Sequence, residues 1–446
     1  MKHQRLKVAI SSLGCDKNLV DSEIMLGLLD KDKFKIVSDL EDSDIIIINT
    51  CGFIADSKEE SINAILDIAE YKKTAHLKSL LVTGCLSQRY KEELITEIPE
   101  IDGLIGTNEY DVINEIINKS LKGEKPILIN NSLFSYEEVF PRVRLTPSHY
   151  RYIKIAEGCN NFCTFCVIPS IRGSYRSRSI ESIIIEVKSF VEQGSKEIIL
   201  IAQDTSCYGE DIYGKLMLPE LINQLSKIDS LDWIRVHYLY PGNISEELIN
   251  TFATNNKLCK YIDMPLQHSE EKILKSMLRP HFQKDIKKLI AKLRREVPNV
   301  AFRTSLIVGF PGETEEDFIN LVKFVKEIEF DRLGVFTYSD EDGTSASNLP
   351  NKVSDEIQEK RAQILMNVQN EIAKMKNSNF IGKEVEVLID SYDELSNTFI
   401  GRTKYDAPDV DGEVYINNIE ANVGDICTVK ITHSYDYDLV GEGIKK

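Results

Sequence analysis

Short apolar runs alternate with segments of helical spacing along the first 140 residues. Apolar residues recur every three to four positions over residues 19–29 and 59–71. The short runs are rich in β-branched or leucine side chains and are bounded by turn residues, as buried strands are: 7–13, 44–48 and 79–82. This strand–helix–strand order predicts a parallel sheet with helices on its faces.

The same alternation continues over residues 150–350. Six candidate strands cover residues 152–156, 197–202, 233–239, 261–264, 300–308 and 332–338. Helical patterns fall between them, at residues 182–193, 218–228, 245–254, 285–297 and 315–327. Six β/α units predict a partial or complete β/α barrel rather than a short open sheet.

The character of the chain changes after a long polar helical stretch at residues 354–378. Short strands separated by Gly, Asp and Asn turns follow, at residues 384–389, 399–402, 413–416 and 427–432. They predict a small all-β barrel of the OB-like kind. The whole chain is therefore α/β with three domains, at residues 1–140, 145–376 and 377–446, and residues 130–148 read as an extended linker.

Composition and charge restrict the function. The chain has 446 residues, with 71 acidic and 54 basic side chains and a net charge of −17. This balance argues against a protein that grips nucleic acid over a wide surface. The acidity is concentrated at the end, because residues 377–446 contain 14 acidic and six basic residues. No apolar stretch is long enough for a membrane span and the first residues are charged, so we expect a cytoplasmic protein without a membrane partner.

Nine cysteines are the main chemical feature. An odd number without an export signal makes a disulfide scaffold improbable. Cys15, Cys51 and Cys85 each stand just past one of the first three predicted strands. The carboxyl ends of parallel strands share one edge, so we expect the three thiols to converge there. Three alternatives stay open for them: an iron–sulfur cluster with one free iron, a zinc site with a non-cysteine fourth ligand, or buried thiols packed by chance.

The second group, Cys159, Cys163 and Cys166, has the spacing Cys-x-x-x-Cys-x-x-Cys directly after the first barrel strand. Three thiolates in one tight loop suit a cluster that leaves one iron uncoordinated. A zinc site usually has a fourth ligand and often pairs two Cys-x-x-Cys units, and no second pair is present. Cys207, Cys259 and Cys427 lack such spacing and are interpreted as structural.

At this loop the chain resembles the radical S-adenosylmethionine (SAM) enzymes. The resemblance implies a [4Fe–4S] cluster whose open iron binds SAM and whose electron cleaves it to a 5′-deoxyadenosyl radical. It also suggests that polar residues in or just after the later strands contact the cofactor: Gln203, Asp204, Gln267 and Arg303. The alternative for Gln203 and Asp204 is a polar loop that caps the next helix. The local basic run Arg172, Arg176 and Arg178 is either a solvated loop or part of the site.

Two three-cysteine groups and a β-barrel tail narrow the resemblance to the methylthiotransferases, which combine a three-cysteine domain, a radical SAM core and a TRAM domain. Two types compete. One modifies an adenosine in transfer RNA (the MiaB type), and the RimO type modifies an aspartate of ribosomal protein S12. Several strings are similar to the RimO type, at residues 12–23, 50–54, 237–242, 263–268 and 330–339. Asp16, Lys17 and Asn18 stand where the transfer-RNA type usually has Gln-Met-Asn.

Charge supports the same choice. A TRAM domain that grips transfer RNA is expected to be basic, whereas this one is acidic and complements a basic ribosomal protein. The resemblance implies two [4Fe–4S] clusters, two SAM molecules, a sulfur source and an electron donor such as flavodoxin or ferredoxin. Nucleic acid is not expected as the main substrate. A non-catalytic iron–sulfur electron carrier remains the alternative from another class.

Overall fold

A computed structural model of the chain describes residues 5–129, 139–279 and 283–444. Most of the first half of the predicted linker therefore lies outside the described residues. The chain divides into two compact units. Unit one consists of Met1–Leu145, Ala156–Ser182 and Ser339–Thr344. Unit two consists of Thr146–Ile155, Ile183–Tyr338 and Ser345–Lys446.

Unit one is built on a six-stranded parallel sheet in the order β2-β1-β3-β4-β5-β6. Its strands are β1 (Leu6–Ser12), β2 (Phe34–Ile36), β3 (Ile45–Thr50), β4 (Ser79–Gly84), β5 (Gly103–Ile105) and β6 (Ile127–Leu128). The predicted parallel sheet is confirmed. Strands β2, β5 and β6 were not expected from the sequence, because runs of two or three residues are too short to show a period.

Five helices accompany this sheet: α1 (Asp16–Gly27), α2 (Ala55–Ala69), α3 (Tyr71–Thr74), α4 (Cys85–Glu97) and α5 (Ile113–Ser120). Alternate residues of β3 enter two different hydrophobic clusters, with Ile46 and Ile48 in one and Ile45 and Ile47 in the other. Both faces of the sheet are therefore covered. Burial on both faces explains why the sequence shows continuous apolar runs here instead of alternation.

The described residues in the middle of the chain contribute eight strands: β7 (Tyr150–Lys154), β8 (Ala156–Glu157), β9 (Arg176–Ser177), β10 (Glu197–Ile201), β11 (Trp233–Val236), β12 (Tyr261–Asp263), β13 (Ala301–Val308) and β14 (Arg332–Thr337). The two short strands β8 and β9 pair with each other in unit one. The other six belong to unit two and form two parallel sheets, β11-β10-β7 and β12-β13-β14. In the described residues they form a partial β/α barrel, as the six predicted β/α units suggested.

The helices of this region are α6 (Ile168–Arg172), α7 (Ile180–Glu192), α8 (Glu210–Tyr213), α9 (Leu218–Leu225), α10 (Glu246–Thr254), α11 (Glu271–Ser276), α12 (Gln283–Glu296) and α13 (Glu315–Ile328). Helix α13 has a complete N-terminal cap, because the Thr314 hydroxyl accepts from the Asp317 N–H while the Asp317 carboxylate accepts from the Thr314 N–H. This reciprocal capping fixes the start of the helix directly after the Gly-Phe-Pro-Gly turn at 309–312.

Helix α14 (Asp355–Ser378) leads into a closed five-stranded barrel. Its strands are β15 (Glu384–Asp393), β16 (Thr398–Thr403), β17 (Val414–Asn417), β18 (Ile426–Ser434) and β19 (Leu439–Gly443). The predicted all-β module is confirmed, and β19, which the sequence did not reveal, closes the barrel by pairing with β17 and β18.

The C-terminal barrel packs against the amino ends of the core strands within unit two. Trp233 and Tyr261, the first residues of β11 and β12, share a hydrophobic cluster with Leu388 and Ala407 of the barrel. None of the helices in the described parts of the chain combines the length and the apolar character that a membrane span requires.

Candidate functional site

Three cysteines of unit one lie at the carboxyl edge of its sheet. Cys15 follows β1 and occupies the N-cap position of α1, Cys51 follows β3 directly, and Cys85 is the first residue of α4 after β4. Strands β1, β3 and β4 are adjacent and parallel, so the structure brings the three cysteines together as the sequence predicted. Cys15 and Cys85 both stand at helix N-termini.

Glycines allow the three cysteine-bearing turns to approach one another. A Cβ atom at Gly14, which has φ +83°, would lie 2.7 Å from Cys51 Cβ. A Cβ atom at Gly52 would lie 2.8 Å from the backbone nitrogen of Leu86 and 2.9 Å from the carbonyl carbon of Cys85. Any side chain at either position would push the turns apart. These glycines are therefore required for the convergence of the thiols.

Burial controls the charge of this cysteine group. Cys85 is buried, and removal from water raises the pKa of its thiol to about 12. Burial likewise raises the pKa of the Cys51 thiol. The positive charge of Arg172 acts in the opposite direction on both thiols. A metal that binds here must displace the thiol protons, so metal loading is coupled to proton release.

A buried guanidinium adjoins this cysteine group. Arg172, at the end of α6, is only 1% exposed. Its Nη1 donates to Asp21 Oδ2 at 3.0 Å and to both carboxylate oxygens of Glu157 at 3.1 Å. Its Nη2 donates to Asn18 Oδ1 at 2.6 Å and lies 3.7 Å from the Sγ of Cys85. All five residues belong to unit one. Arg172 is thus not part of a solvated loop.

The loop with Cys159, Cys163 and Cys166 also belongs to unit one, and its three thiols are half-buried. Its backbone is held by hydrogen bonds from Cys159 N–H to the Gly173 carbonyl and from Cys166 N–H to the Cys163 carbonyl. Backbone N–H groups also point at sulfur, because Asn161 donates to Cys159 Sγ and Ile168 to Cys166 Sγ, both at 3.5 Å.

The donor sets of both cysteine groups fit iron–sulfur clusters. None of the nine cysteines, which all lie in the described residues, forms a disulfide bond. Within the described residues, no group of three or more His, Cys, Asp or Glu side chains is gathered closely enough to hold a single metal ion. Cluster ligands each bind a different iron, so they stand farther apart than the ligands of one ion. N–H groups directed at ligand sulfurs are among the features by which proteins adjust such clusters.

The two predicted cofactor residues after β10 differ in environment. Gln203 is half-buried two residues beyond the strand. Asp204 is buried, and its carboxylate accepts from the Ser206 N–H at 3.0 Å, which caps the short helical turn Thr205–Cys207. The capping alternative therefore describes the contacts of Asp204 in this structure, and a contact with the cofactor stays a prediction for both residues.

Gln267 and Arg303 lie on neighbouring segments of unit two. The Gln267 backbone has φ +72° and exchanges hydrogen bonds with β13, donating to the Ser305 carbonyl and accepting from the Ile307 N–H. Arg303 lies 3.3 Å from Asp263 and 3.5 Å from Asp411 of the C-terminal barrel. These two carboxylates engage the Nη1 and Nε atoms of the guanidinium, and the role predicted for Arg303 toward SAM stays a prediction.

A buried charged cluster holds the Gly-Phe-Pro-Gly turn. Glu313 Oε2 accepts from the Gly309 N–H at 2.7 Å, and Glu313 Oε1 accepts from Arg361 of α14 at 2.8 Å. His268 Nε2 lies 3.5 Å from the same carboxylate, and its Nδ1 accepts from the Glu270 N–H. These contacts agree with a structural role for His268.

A second buried carboxylate supports the Cys51 turn. Glu341 Oε2 accepts from Lys58 at 2.7 Å and from Arg89 at 2.5 Å, and Arg89 also donates to the Gly52 carbonyl at 3.1 Å. Burial raises the pKa of Glu341, but the hydrogen bonds from Lys58, Ser339 and Arg89 outweigh it and hold that pKa below its usual range. The segment Ser339–Thr344 thus belongs to the support of the first cysteine group.

Comparison with known proteins shows which family contains these sites. Residues 7–106 match the uncharacterized protein family UPF0004, residues 153–325 the radical SAM superfamily, and residues 381–444 the TRAM domain. Ribosomal protein uS12 methylthiotransferase RimO of Geobacter sulfurreducens is 48% identical over 99% of both chains. The protein of the same name from Natranaerobius thermophilus is 50% identical over 98% of this chain and 99% of the relative. The chain belongs to the RimO family of methylthiotransferases.

Solved structures show the same fold at much lower identity. The radical SAM methyltransferase TsrM of Kitasatospora setae, with tryptophan and a SAM analogue bound, has a TM-score of 0.56 at 13% identity and covers 74% of this chain and 73% of that chain. A second TsrM structure, with cobalamin and a [4Fe–4S] cluster bound, has a TM-score of 0.55 at 14% identity over 75% of each chain. This likeness extends to the fold alone.

Sequence reasoning missed several residues that support the sites of this RimO-family chain. Asn18 and Asp21 were visible only as polar residues three apart in α1, on the face that Arg172 contacts. What distinguishes these two residues, the burial of their polar side chains, is visible only in the structure. The supporting residues Glu313, Arg361 and Glu341 were not identified either, since the ion pair of Glu313 with Arg361 spans 48 positions and that of Glu341 with Lys58 spans 283.

Proposed function

We propose that this RimO-family enzyme methylthiolates the β-carbon of an aspartate in ribosomal protein S12. The observation that carries the proposal is 48–50% identity, over nearly the full length of both chains, to relatives named for uS12. The transfer-RNA type is not favoured. A non-catalytic electron carrier is not favoured either, because the chain is a radical SAM methylthiotransferase.

The enzyme family uses SAM and [4Fe–4S] clusters. We assign one cluster to Cys15, Cys51 and Cys85 and the other to Cys159, Cys163 and Cys166. When bound, these groups supply an electron that cleaves SAM, a radical that removes hydrogen from an unactivated carbon, and sulfur for the product. Side chains alone cannot supply such chemistry, so the role of the protein is to bind these groups, to orient them toward the substrate and to shield the radical from solvent.

The residues of this chain have distinct tasks in the proposed reaction. The N–H groups of Asn161 and Ile168 orient the sulfurs of Cys159 and Cys166. Glu313, held by Arg361, fixes the backbone at Gly309. We propose that SAM lies against Gln203, Asp204, Gln267 and Arg303, at or beside the strands of the partial barrel. Rigid placement matters, since small displacements of reacting atoms lower rates strongly.

The surface charge of the TRAM domain supports a basic protein substrate. Among the described residues 381–444 of this domain, eight acidic residues are exposed, against two exposed basic ones, Lys383 and Lys430; the acidic set is Glu384, Glu386, Glu394, Asp409, Glu413, Glu420, Asp425 and Glu442. Other acidic residues of this domain form ion pairs within the protein, as Asp406 does with Arg332. A phosphate backbone would be repelled by such a surface, whereas a basic ribosomal protein would be attracted.

The reaction needs partners that supply its electrons and its sulfur. We propose an electron donor of the flavodoxin or ferredoxin class, a separate sulfur source, and action in the cytoplasm, where ribosomal proteins are available. The domain limits 1–140, 145–376 and 377–446 are proposed as the functional divisions, and the family matches at residues 7–106, 153–325 and 381–444 fall within them.

The test is a substrate comparison with the full chain after anaerobic cluster reconstitution. Ribosomal protein S12, its aspartate-containing loop peptide and bulk transfer RNA are each incubated with SAM and a reductant. We expect 5′-deoxyadenosine together with a methylthio group on the aspartate, measured by peptide mass spectrometry. Formation of 5′-deoxyadenosine with methylthiolation of transfer RNA alone would overturn the proposal.

A further inference from the structure

We propose that Arg172 is a positioning residue that raises the reduction potential of the cluster at Cys15, Cys51 and Cys85 by donating a hydrogen bond to the Cys85 sulfur. The inference rests on the proposed assignment of that cluster. It goes beyond it, because it gives a specific task to an arginine that follows the other cysteine loop in the chain.

The geometry leaves Arg172 one orientation. Its Nη1 is fixed by Asp21 and Glu157, and its Nη2 by Asn18 at 2.6 Å, which directs Nη2 toward the Cys85 sulfur at 3.7 Å. A guanidinium presents its donors in a rigid planar fork, so anchoring some of them aims the rest. Asn18 also contacts the Cys85 sulfur, at 3.8 Å from its Oδ1.

The anchors of Arg172 are themselves held. Asp21 Oδ1 accepts from the Tyr110 hydroxyl at 2.7 Å, and the amide of Asn18 donates to the Thr50 carbonyl at 2.9 Å. Asp21 and Tyr110 are nearly inaccessible to solvent. A buried arginine between two carboxylates costs desolvation energy that folding alone does not require. Its position beside the sulfur of a proposed cluster ligand points to a role at that sulfur.

Arg172 also connects the two cysteine loops within unit one. It lies six residues after Cys166, and its partner Glu157 lies two residues before Cys159. Ile171 of helix α6 and Val167, which precedes the helix, pack with Cys85 in one hydrophobic cluster. The Thr107 hydroxyl donates to the Ile171 carbonyl at 3.2 Å. The segment that follows one cluster loop therefore delivers the donor to a ligand of the other.

The direction of the effect follows from charge. Reduction adds a negative charge to a cluster, and a positive N–H donor at a ligand sulfur stabilises the reduced form more than the oxidised form. Hydrogen bonds to the sulfurs are among the features that set cluster potentials, and loss of outer-shell contacts typically costs 10- to 100-fold in metal affinity or activity. Without Arg172, we expect the equilibrium constant for reduction of the cluster to fall at least tenfold. For a one-electron couple, a tenfold decrease corresponds to a reduction potential lower by about 59 mV.

The experiment uses the full chain with Cys159, Cys163 and Cys166 replaced by Ala, so that only the cluster under study is present. Two variants are made in this background. Arg172→Lys keeps the positive charge but loses the planar set of guanidinium N–H donors. Arg172→Met/Asp21→Asn removes the donor while leaving the net charge of the buried group unchanged. Iron and sulfide content, and the midpoint potential from a titration followed by electron paramagnetic resonance, are measured for each.

We expect both variants to retain iron and to have lower potentials than the background chain, with the larger shift in the double variant. The matched control is Arg142→Lys, since the buried Arg142 side chain pairs with Glu23 on the same helix α1. Its potential should equal that of the background. An unchanged potential in both Arg172 variants at equal iron content would overturn the inference.

Other outcomes are equally decisive. Loss of iron from both Arg172 variants would show that Arg172 serves cluster assembly and not its potential, which also contradicts the inference. Absence of iron from the background chain itself would instead refute the cluster assignment in the proposed function. In the chain with all six cysteines, Arg172→Lys should still form 5′-deoxyadenosine while methylthiolation decreases.

Discussion

Arg402 of the TRAM domain forms a buried ion pair with Glu197, the first residue of strand β10, with 2.5 Å between Arg402 Nη1 and Glu197 Oε2. Arg235 donates to the other carboxylate oxygen at 2.8 Å. Both arginines and the glutamate are essentially inaccessible to solvent. The TRAM domain is therefore joined to the amino ends of the core strands through charge as well as apolar packing.

Replacement of Glu197 by Gln should destabilise unit two and make its free energy of unfolding less sensitive to a decrease in pH. Burial raises the pKa of Glu197, but Arg402 and Arg235 outweigh it and hold the pKa below its ordinary value of 4.5. The stabilisation is therefore present above about pH 4.5 and is lost as the pH falls through the lower, folded-state pKa. Breaking such a buried pair costs about 3–5 kcal/mol.

Denaturant unfolding at pH 7 and at pH 4 measures both effects. Glu197→Gln should be less stable at pH 7, and its stability should fall less between the two pH values than that of the unmodified chain. Glu386→Gln is the control, because that carboxylate pairs with Lys404 at the surface and such pairs contribute about 0–1 kcal/mol. Equal acid sensitivity of Glu197→Gln and the unmodified chain would contradict the ion-pair account.

Replacement of Glu341 by Gln should impair the first cysteine group. Lys58 and Arg89 would lose their shared carboxylate, and Arg89 also holds the carbonyl of Gly52 beside Cys51. We expect lower iron content and roughly tenfold slower methylthiolation, while 5′-deoxyadenosine still forms. The control is Asp342→Asn, an exposed carboxylate in the same segment. Equal behaviour of the two variants would refute this role of Glu341.

The two cysteine groups should be separable by mutation. Cys163→Ala removes a ligand from the loop assigned to SAM cleavage and should abolish 5′-deoxyadenosine formation. Cys51→Ala removes a ligand from the other group and should abolish methylthio transfer while retaining part of the cleavage. Product analysis by mass spectrometry distinguishes the two, and equal loss of both activities in both variants would argue against divided labour.

Charge reversal on the TRAM domain should weaken substrate binding. Glu394→Lys/Glu420→Lys changes two exposed acidic residues there. The KM for S12 should rise several-fold, and less so at high salt, because screened surface charges govern association. The rate of SAM cleavage without S12 should not change. Glu316→Lys/Glu359→Lys reverses two exposed acids on α13 and α14, outside this domain, as the control. A similar KM change in both double variants would contradict a specific role of the TRAM surface in binding S12.

The order of the elements was determined by the sequence, because period and turn residues are local properties. The six core strands and the parallel sheet of unit one were predicted from apolar runs and short connections. Strands β2, β5, β6, β8, β9 and β19 were not, since all but β19 are only two or three residues long and their pairing depends on neighbours distant in the chain. The local spacing of Cys159, Cys163 and Cys166 was enough to predict a cluster loop. The convergence of Cys15, Cys51 and Cys85 was predicted from their positions after parallel strands.

Only the tertiary structure decided which side chains surround those cysteines. Arg172 contacts Cys85 across 87 positions and Glu341 contacts Lys58 across 283, and no local pattern encodes either pair. The structure likewise divided the acids of the TRAM domain into an exposed set and an internal set that includes Asp406. Net charge is additive along a sequence, whereas desolvation and pairing exist only once the chain has folded. Local patterns therefore determine the elements and their chemistry, and packing determines their electrostatic surroundings.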